Sequence, residues 1–293
     1  MERLDDHRLT EVMSEHPILV TGATGKSGRR VVARLRDRGA QVRAASRGGE
    51  HHFDWTDRGT WDAALTGVRA VYVVQLDGTR LVRPFVELAA RRGVRRIVLA
   101  SGRGIDDPHY APDRTGARPG ILDSEAAVRE SGLEWTITRP GWFAQNFSEG
   151  FFADAVHAGE LRLPAGEGAA SFVDAEDIAE VVAAALTGEG HAGRVYELSG
   201  PRAVTLTEAV ATISAATGRE IRYVPLSVAE YIEELVAQGL PREDAEVFAD
   251  VVEPLREGRD AHLSDGVRQA LGRPPRAFGR FAEAAAAAGA WQG

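Results

Sequence analysis

A short apolar run, Pro17-Ile18-Leu19-Val20-Thr21, leads straight into Gly22-Ala23-Thr24-Gly25-Lys26-Ser27-Gly28. The next residues, Arg29 to Arg38, carry Val31, Val32 and Leu35 on one helical face, and Gly39 closes the segment. Strand, glycine turn and amphipathic helix in that order make the first half of a βαβ unit. Glycines spaced GxxGxxG allow a tight turn and let backbone N–H groups come close to a ligand at the helix N-terminus, where phosphate groups bind. The spacing differs from the GxGxxG fingerprint and suits a short-chain-dehydrogenase variant of the dinucleotide-binding fold. Gly25-Lys26-Ser27 also invites a P-loop reading, but that motif needs a glycine where Val20 stands, so phosphoryl transfer is not expected.

The alternation then repeats. Strands are expected at Gln41–Ser46, Ala70–Val74, Arg96–Ala100, Trp135–Arg139 and Arg194–Leu198. Helical patterns fall between them at about 60–65, 79–92, 123–131 and 175–186. Apolar strands such as Ile97-Val98-Leu99-Ala100 fit a sheet covered on both faces. The expected fold class is therefore α/β, a Rossmann-type doubly wound parallel sheet. After Pro140 the pattern loosens into an aromatic-rich stretch and a short strand near 161–163. Helical stretches follow at 205–217, 227–238, 241–256 and 277–289, with one strand near 221–224. These pieces read as a smaller, discontinuous α+β cap on the substrate side. The expected division is 13–140 with 172–200 for the dinucleotide-binding domain, and 141–171 with 201–293 for the cap. Residues 1–12 are expected to be an N-terminal extension.

Composition removes several function classes. A formal charge of -8 argues against a nucleic-acid or membrane-surface partner. The absence of cysteine excludes disulfides, thiolate nucleophiles and thiolate metal sites. No apolar run is long enough to span a bilayer, and the polar, acidic N-terminus does not read as a secretory signal, so a cytoplasmic protein is expected. Lys26 is the only lysine among 35 lysine and arginine residues. His51-His52 lack partners at ligand spacing, so no metal site is expected. The basic cluster Arg91 to Arg96 reads as a solvated edge, and no G-x-S-x-G elbow supports a hydrolase.

The end of the second strand bears on which dinucleotide would bind. An NAD site usually places an acid there for the ribose hydroxyls; here the stretch is Arg43-Ala44-Ala45-Ser46-Arg47. Two arginines and a serine suit the 2′-phosphate of NADP(H), which is expected in preference to NAD(H). Solvated surface charges remain the alternative for both arginines.

At this point the chain resembles the NmrA-like, atypical short-chain dehydrogenase/reductases. The likeness is carried by Thr21 to Gly28, by Ser131-Gly132-Leu133-Glu134-Trp135-Thr136 and by Arg139-Pro140-Gly141-Trp142-Phe143. Ala45-Ser46-Arg47, Phe53-Asp54-Trp55 and Gly59-Thr60-Trp61 look most like the agroclavine and festuclavine dehydrogenase subgroup. Phe143 to Phe147 and Phe172 to Ala179 extend the likeness, which begins near Met13 and covers most of the chain. The resemblance implies NADP(H) held by Gly22, Thr24, Gly25, Lys26, Ser27 and Gly28, with Ser46 and Arg47 near the 2′-phosphate. It implies Asp54 and Trp55 beside the adenine, and Gln75, Ala100 and Ser101 along the ribose–nicotinamide stretch. Pro140 would border the nicotinamide, with Trp142 and Phe143 facing the substrate.

One expected piece of chemistry is missing. Typical short-chain dehydrogenases protonate a reduced carbonyl with a Tyr-x-x-x-Lys pair. Counting back from Gly132 puts that pair at Ala117 and Ile121, and Lys26 cannot supply it. Tyr110-Ala111-Pro112-Asp113-Arg114 imitates the spacing, but Pro112 breaks the helix the pair needs. Two readings follow. The chain is an NADPH-dependent reductase whose flat, electrophilic small-molecule acceptor (an iminium, a triarylmethyl-type cation or a quinone) needs no protein acid. Alternatively, it is a non-catalytic NADP(H)-sensing regulator that binds a protein partner; an isomerase or lyase is a third option. Tyr110, His109 and Asp77 follow strand ends and are the candidates for a solvent-side proton, though each also reads as an ordinary loop residue. Trp142 and Phe143 stand open between pocket wall and packing; as pocket wall they suit a flat cation. Phe143, Phe147 and Phe151 recur every four residues, which assigns Phe147 and Phe151 to a buried helix face.

Overall fold

The computed structural model describes residues 16–113 and 116–292, so the expected extension at 1–12 lies outside the described residues. In chain order the strands are β1 (Ile18–Thr21), β2 (Val42–Ser46), β3 (His51–His52), β4 (Ala70–Val73), β5 (Arg96–Ala100) and β6 (Glu134–Pro140). They continue with β7 (Glu160–Leu163), β8 (Ala169–Ala170), β9 (Arg194–Leu198), β10 (Val204–Thr205) and β11 (Arg222–Pro225). The first half carries helices α1 (Lys26–Asp37), α2 (Gly59–Leu65), α3 (Val82–Arg91), α4 (Arg118–Glu130), α5 (Asn146–Glu149), α6 (Ala153–Ala158) and α7 (Ala175–Thr187). The second half carries α8 (Leu206–Thr217), α9 (Val228–Ala237), α10 (Arg242–Val251), α11 (Glu253–Arg256), α12 (Gly266–Leu271) and α13 (Phe278–Ala287).

Seven strands form one sheet in the order β3-β2-β1-β4-β5-β6-β9, every neighbouring pair parallel. All four residues of β1 and of β4 are buried, as a sheet covered on both faces requires. On one face, α1 and α7 pack through Val31, Val32, Leu35, Ile178 and Val182. On the other, Trp61, Phe85 and Val86 of α2 and α3 meet Leu19, Val71 and Leu99. Phe53, Trp55, Trp61 and Phe85 make a cluster of edge-to-face rings 5.0–5.8 Å apart. Such pairs add about 0.5–1.5 kcal/mol each beyond burial. The sheet is the expected doubly wound one. Its strand order reverses at β1 and β4, and the crevice at that reversal is where open α/β sheets bind ligands.

Two small sheets lie outside it: β7 pairs with β11 in parallel, and β8 pairs with β10 in antiparallel fashion. Their side chains, with α6, α8 and α13, build a separate core around Phe147, Phe152, Phe172, Ile213, Phe281 and Trp291. Helix α12 instead packs on α7 and β9, on the sheet side.

Several boundaries differ from the periodicity. Helix α4 starts at Arg118, five residues ahead of the expected start. Pro119 sits harmlessly in its first turn, and Gly120 lies against the Thr79 carbonyl, where a Cβ would come within 2.5 Å. The stretch 241–256 is two helices, with Pro254 opening the second. The expected helix face through Phe143, Phe147 and Phe151 does not form, because α5 ends at Gly150 after one turn. Phe147 is fully buried as expected, but Phe151 is 37% exposed and Phe152 occupies the core in its place.

The turn between β1 and α1 is a tight approach. Gly22 has φ of 61°, and a Cβ on Gly28 would lie 2.1 Å from the Gly22 carbonyl oxygen. Gly28→Ala must therefore move α1 away from β1. Chemical denaturation of the ligand-free protein is expected to show a loss of about 1–3 kcal/mol, the usual range for overpacking; unchanged stability would mean that the turn tolerates the shift.

Candidate functional site

Two cavities open along the C-terminal edge of the large sheet. The first, of about 460 Å³, lies between the glycine loop, the end of β2 and the segment after β4. It brings together Gly22, Thr24, Gly25, Ser46, Arg47, Asp54, Trp55 and Gln75. The second, of about 410 Å³, lies beyond β5 and β6 and is lined by Arg103, Tyr110, Pro140, Trp142, Phe143, Asn146 and Asp260, among others. A larger cavity of about 770 Å³ lies outside the large sheet, lined by residues that include His157, Arg219 and Trp291.

At the first cavity the backbone offers donors. Gly25 caps α1 with no side-chain cap hydrogen bond, and the first turn holds no acid, so the initial N–H groups and the positive end of the helix dipole stay available to an anion. Thr21 Oγ1 accepts from the Val74 amide at 2.8 Å and so ties the ends of β1 and β4 together. At the end of β2, the Ser46 hydroxyl is buried and has no hydrogen-bond partner among the described residues. Buried hydroxyls without partners are costly, so this one fits a site completed by a ligand. Arg47 is exposed beside it on the cavity wall. Arg43, the other arginine read for the 2′-phosphate, donates instead to the Ala64 and Thr66 carbonyls at 2.7 and 2.8 Å, closing the C-terminal end of α2. Asp54 accepts from the Thr56 amide and hydroxyl, both at 2.8 Å, and these bonds hold its carboxyl below the usual range. The Trp55 indole donates to the Val74 carbonyl at 2.9 Å, so its ring is fixed in the wall.

Lys26, Ser27 and Gly28 form the first turn of α1. The Lys26 ammonium donates to Asn146 Oδ1 at 2.8 Å; burial, then the charges of Arg29 and Arg30, push its pKa down. Ser27 Oγ accepts from the Tyr72 hydroxyl at 3.3 Å, and burial raises that phenol to about 12. Arg29 and Arg30 pair with Glu149, while Arg30 and Arg34 pair with Glu176 at 3.0 and 2.8 Å. The polar face of α1 is thereby clamped to α5 and α7.

At the end of β5, the Ser101 hydroxyl donates to Glu125 Oε1 at 2.6 Å, and Ala100 flanks it. Glu125, fully buried on α4, also accepts two bonds from Arg139 at 2.8 and 2.7 Å. Burial pushes the Glu125 carboxyl up, but the bonds from Arg139 and Ser101 and the Arg139 and Arg129 charges outweigh it and hold it below the usual range. The helix that bears the Tyr-x-x-x-Lys pair in typical short-chain dehydrogenases here carries a structural ion pair.

In the second cavity, Tyr110 donates to Asp260 Oδ1 and the Trp142 indole donates to Oδ2 at 2.8 Å. Asp260 is buried, and burial raises its carboxyl in spite of those bonds. Burial and the neighbouring Asp260 keep the Tyr110 phenol protonated far above its ordinary range. The Tyr110 ring lies flat against Gly104, whose φ of 68° and lack of a Cβ make the room. Trp142 is both wall and packing: it lines the cavity and stacks on Phe152 at 5.4 Å. Phe143 lines the cavity too, and its backbone bridges to Val173. His109 and Asp77 are exposed and line neither cavity. Asp260 and Glu125 escaped sequence reasoning: neither stands in a motif, and only the fold brings them to their partners. Asn146 follows a quoted motif but carried no signal for its contact with Lys26.

Removing Glu125 takes two bonds from Arg139, whose side chain is 8% exposed, and leaves Asp106 as its remaining carboxylate partner. Glu125→Ala is expected to cost about 3–5 kcal/mol by denaturant titration. Because the folded carboxyl titrates below the unfolded one, its stabilisation is present above the usual glutamate range near ~4.3 and disappears as pH falls through the depressed value. The variant should therefore lose less stability than the wild type over that acid interval; parallel pH profiles would contradict the assignment.

Comparison with known proteins identifies the family. Residues 22–189 match the family model described as NAD(P)H-binding. The chain is 38% identical to the (4-alkanoyl-5-oxo-2,5-dihydrofuran-3-yl)methyl phosphate reductase of Streptomyces griseus, over 89% of this chain and 95% of that one. It is 28% identical to agroclavine dehydrogenase of Claviceps fusiformis, over 90% and 95% of the two chains. The fold is shared with an NADPH-dependent quinone oxidoreductase of Escherichia coli in complex with NADPH, with TM-score 0.72, 24% identity and coverage of 91% and 99%. Among the described residues no helix is long and apolar enough to cross a membrane. The chain belongs to the NAD(P)H-binding, NmrA-like family of oxidoreductases.

Proposed function

We propose that the chain is an NADPH-dependent reductase that passes hydride to a flat, electrophilic small molecule without a tyrosine–lysine proton relay. The observation that carries this reading is the pair of cavities on one sheet edge. One has an unpartnered Ser46 hydroxyl beside Arg47, and the other is walled by Trp142 and Phe143. In this reading residues 13–140 and 172–200 hold the dinucleotide, and 141–171 with 201–293 form the substrate-side cap. When bound, NADPH supplies a hydride. Gly22, Thr24, Gly25, Lys26, Ser27 and Gly28 hold its phosphates, Ser46 and Arg47 its 2′-phosphate, Asp54 and Trp55 its adenine end. Gln75, Ala100, Ser101 and Pro140 border the rest. Trp142 and Phe143 orient the acceptor and exclude water from one face of it.

The acceptor class follows from the acid–base groups. The Tyr110 hydroxyl donates a hydrogen bond to Asp260, and losing its proton would leave two anions side by side, so the phenol is a poor acid. A cation needs no proton on accepting hydride, and a quinone's oxygen can take one from water. The names of the relatives agree with reduction of small molecules, which weighs against a pure sensor.

Two experiments test this. Purified protein should oxidise NADPH saturably with quinones or cyclic iminium ions and leave simple ketones untouched. Tight NADPH binding without consumption by any acceptor would favour the sensor reading instead. Arg47→Ala should weaken NADPH binding by about 10–100-fold, the worth of a charge-assisted hydrogen bond, and leave NADH affinity nearly unchanged. Equal losses for both dinucleotides, measured by fluorescence titration, would remove Arg47 from the 2′-phosphate site.

A further inference from the structure

We propose that a further cavity, inside the cap, holds an aliphatic chain carried by the acceptor, so that the preferred acceptor is a flat electrophilic ring with an uncharged alkyl tail. The inference rests on the reading of the second cavity as the acceptor site and adds a tail to that substrate class.

This cavity, of about 430 Å³, lies between α6, β7, α9 and α10. Its most buried lining is apolar: Phe152, Leu161 and Leu163 are each 3% exposed or less. Ala155 of α6 and Leu235 of α9 extend the same wall. The charged groups are already paired. Arg162 donates to Glu160 at 2.8 Å and to Glu234 at 3.0 Å. With Asp154, the described lining holds three carboxylates against that one guanidinium. An anion therefore meets net negative charge there, whereas a methylene chain meets apolar surface.

The cavity adjoins the acceptor site through a shared aromatic partition. Helix α10 turns Val247 and Val251, four residues apart, toward the second cavity and Phe248 toward this one. Trp142 walls the second cavity, stacks on Phe152 at 5.4 Å and meets Phe151 edge-on at 6.0 Å; both phenylalanines line the cap cavity. Phe151 and Phe248 come within 5.8 Å of each other. A chain attached to a ring beside Trp142 enters by running past these two side chains.

Their exposure fits that passage. Phe151 is 37% exposed and Phe248 38%, while Phe147 and Phe152 beside them are fully buried. Phe151 stands here because α5 ends at Gly150, which takes it out of the helix face that its spacing implies. Two touching, exposed phenylalanines at the rim of an apolar cavity present surface that an alkyl chain covers. At about 410 Å³, the second cavity is near the lower end of the ~300–1,000 Å³ usual for small-molecule sites, so a tail on the bound ring needs the added space.

The test titrates the purified protein, by calorimetry, with naphthoquinones alkylated beside one carbonyl by methyl, propyl or hexyl chains. From propyl to hexyl each added methylene should tighten binding by about 2–4-fold. A hexyl chain ending in a carboxylate should bind at least about 10-fold more weakly than hexyl itself. Leu235→Trp, which fills the cavity, should cut the gain to about 1.5-fold or less per methylene. Ala155→Leu, a smaller filling that keeps the test open if the tryptophan prevents folding, should lower it in the same direction. The gain is a ratio within each protein, so a change in affinity for the ring cancels. A flat series in wild type, a gain that the filled cavities leave unchanged, or equal affinity for the carboxylate-ended chain would overturn the inference. NADPH consumption, followed in parallel, separates it from the reading beneath it. Tighter binding of longer chains without consumption would overturn the reductase reading and leave the tail site standing; consumption with a flat series would do the reverse.

Discussion

Everything at this site depends on how closely the start of α1 lies against the end of β1. The 2.1 Å clearance that a Cβ at Gly28 would have from the Gly22 carbonyl leaves glycine as the residue that fits. That approach points the uncapped N-terminus of α1 along the sheet edge, where the strand order reverses. It also decides where the polar face of α1 goes. Lys26, Arg29, Arg30 and Arg34 fan out toward Asn146, Glu149 and Glu176, so one turn joins the dinucleotide cleft to the start of the cap. A shift of the helix would loosen the glycine turn and the contacts with α5 and α7 together.

The polar groups around the second cavity are tied into hydrogen bonds and ion pairs that fix its walls. Glu125 and Arg139 neutralise each other under the end of β5, with Ser101 as a third partner. Asp260 binds Tyr110 and Trp142 at once, which fixes the angle of the indole wall. A buried ion pair adds little net stability when intact, and breaking it is costly, so such pairs hold geometry more than they raise stability. An aromatic wall of fixed angle suits a flat substrate whose reacting carbon must be held close to a hydride donor.

The sheet was legible because its signals are local. Apolar runs of four or five residues, amphipathic helices and glycine spacing each act within a few residues, and the parallel order follows from their alternation. Ser46, Arg47, Asp54, Trp55 and Gln75, which the resemblance assigned to a dinucleotide, line one cavity. Errors arose where packing overrode local pattern. Helix α4 opens at Arg118, ahead of the periodic pattern, because Pro119 is at home in a first turn and Gly120 fits under the Thr79 carbonyl. Phe151 kept the helical spacing but lost its place to Phe152 when Gly150 ended the helix. Asp260 lies 150 residues from Tyr110, and no spacing rule spans that distance. Arg43 stood beside Arg47 in the sequence as a second cation for the 2′-phosphate, and the nearby C-terminus of α2 engages it instead.

The central claim is that the protein itself carries hydride from NADPH to its acceptor, with no acid of its own in the transfer. The most direct measurement uses NADPH deuterated in turn at each face of the nicotinamide C4, with a cyclic iminium ion as acceptor and mass spectrometry of the product. The account predicts one deuterium in the product from one face only, and an unchanged yield when Tyr110 is replaced by phenylalanine. Product without deuterium from either face, or transfer that vanishes in Tyr110→Phe, would contradict it.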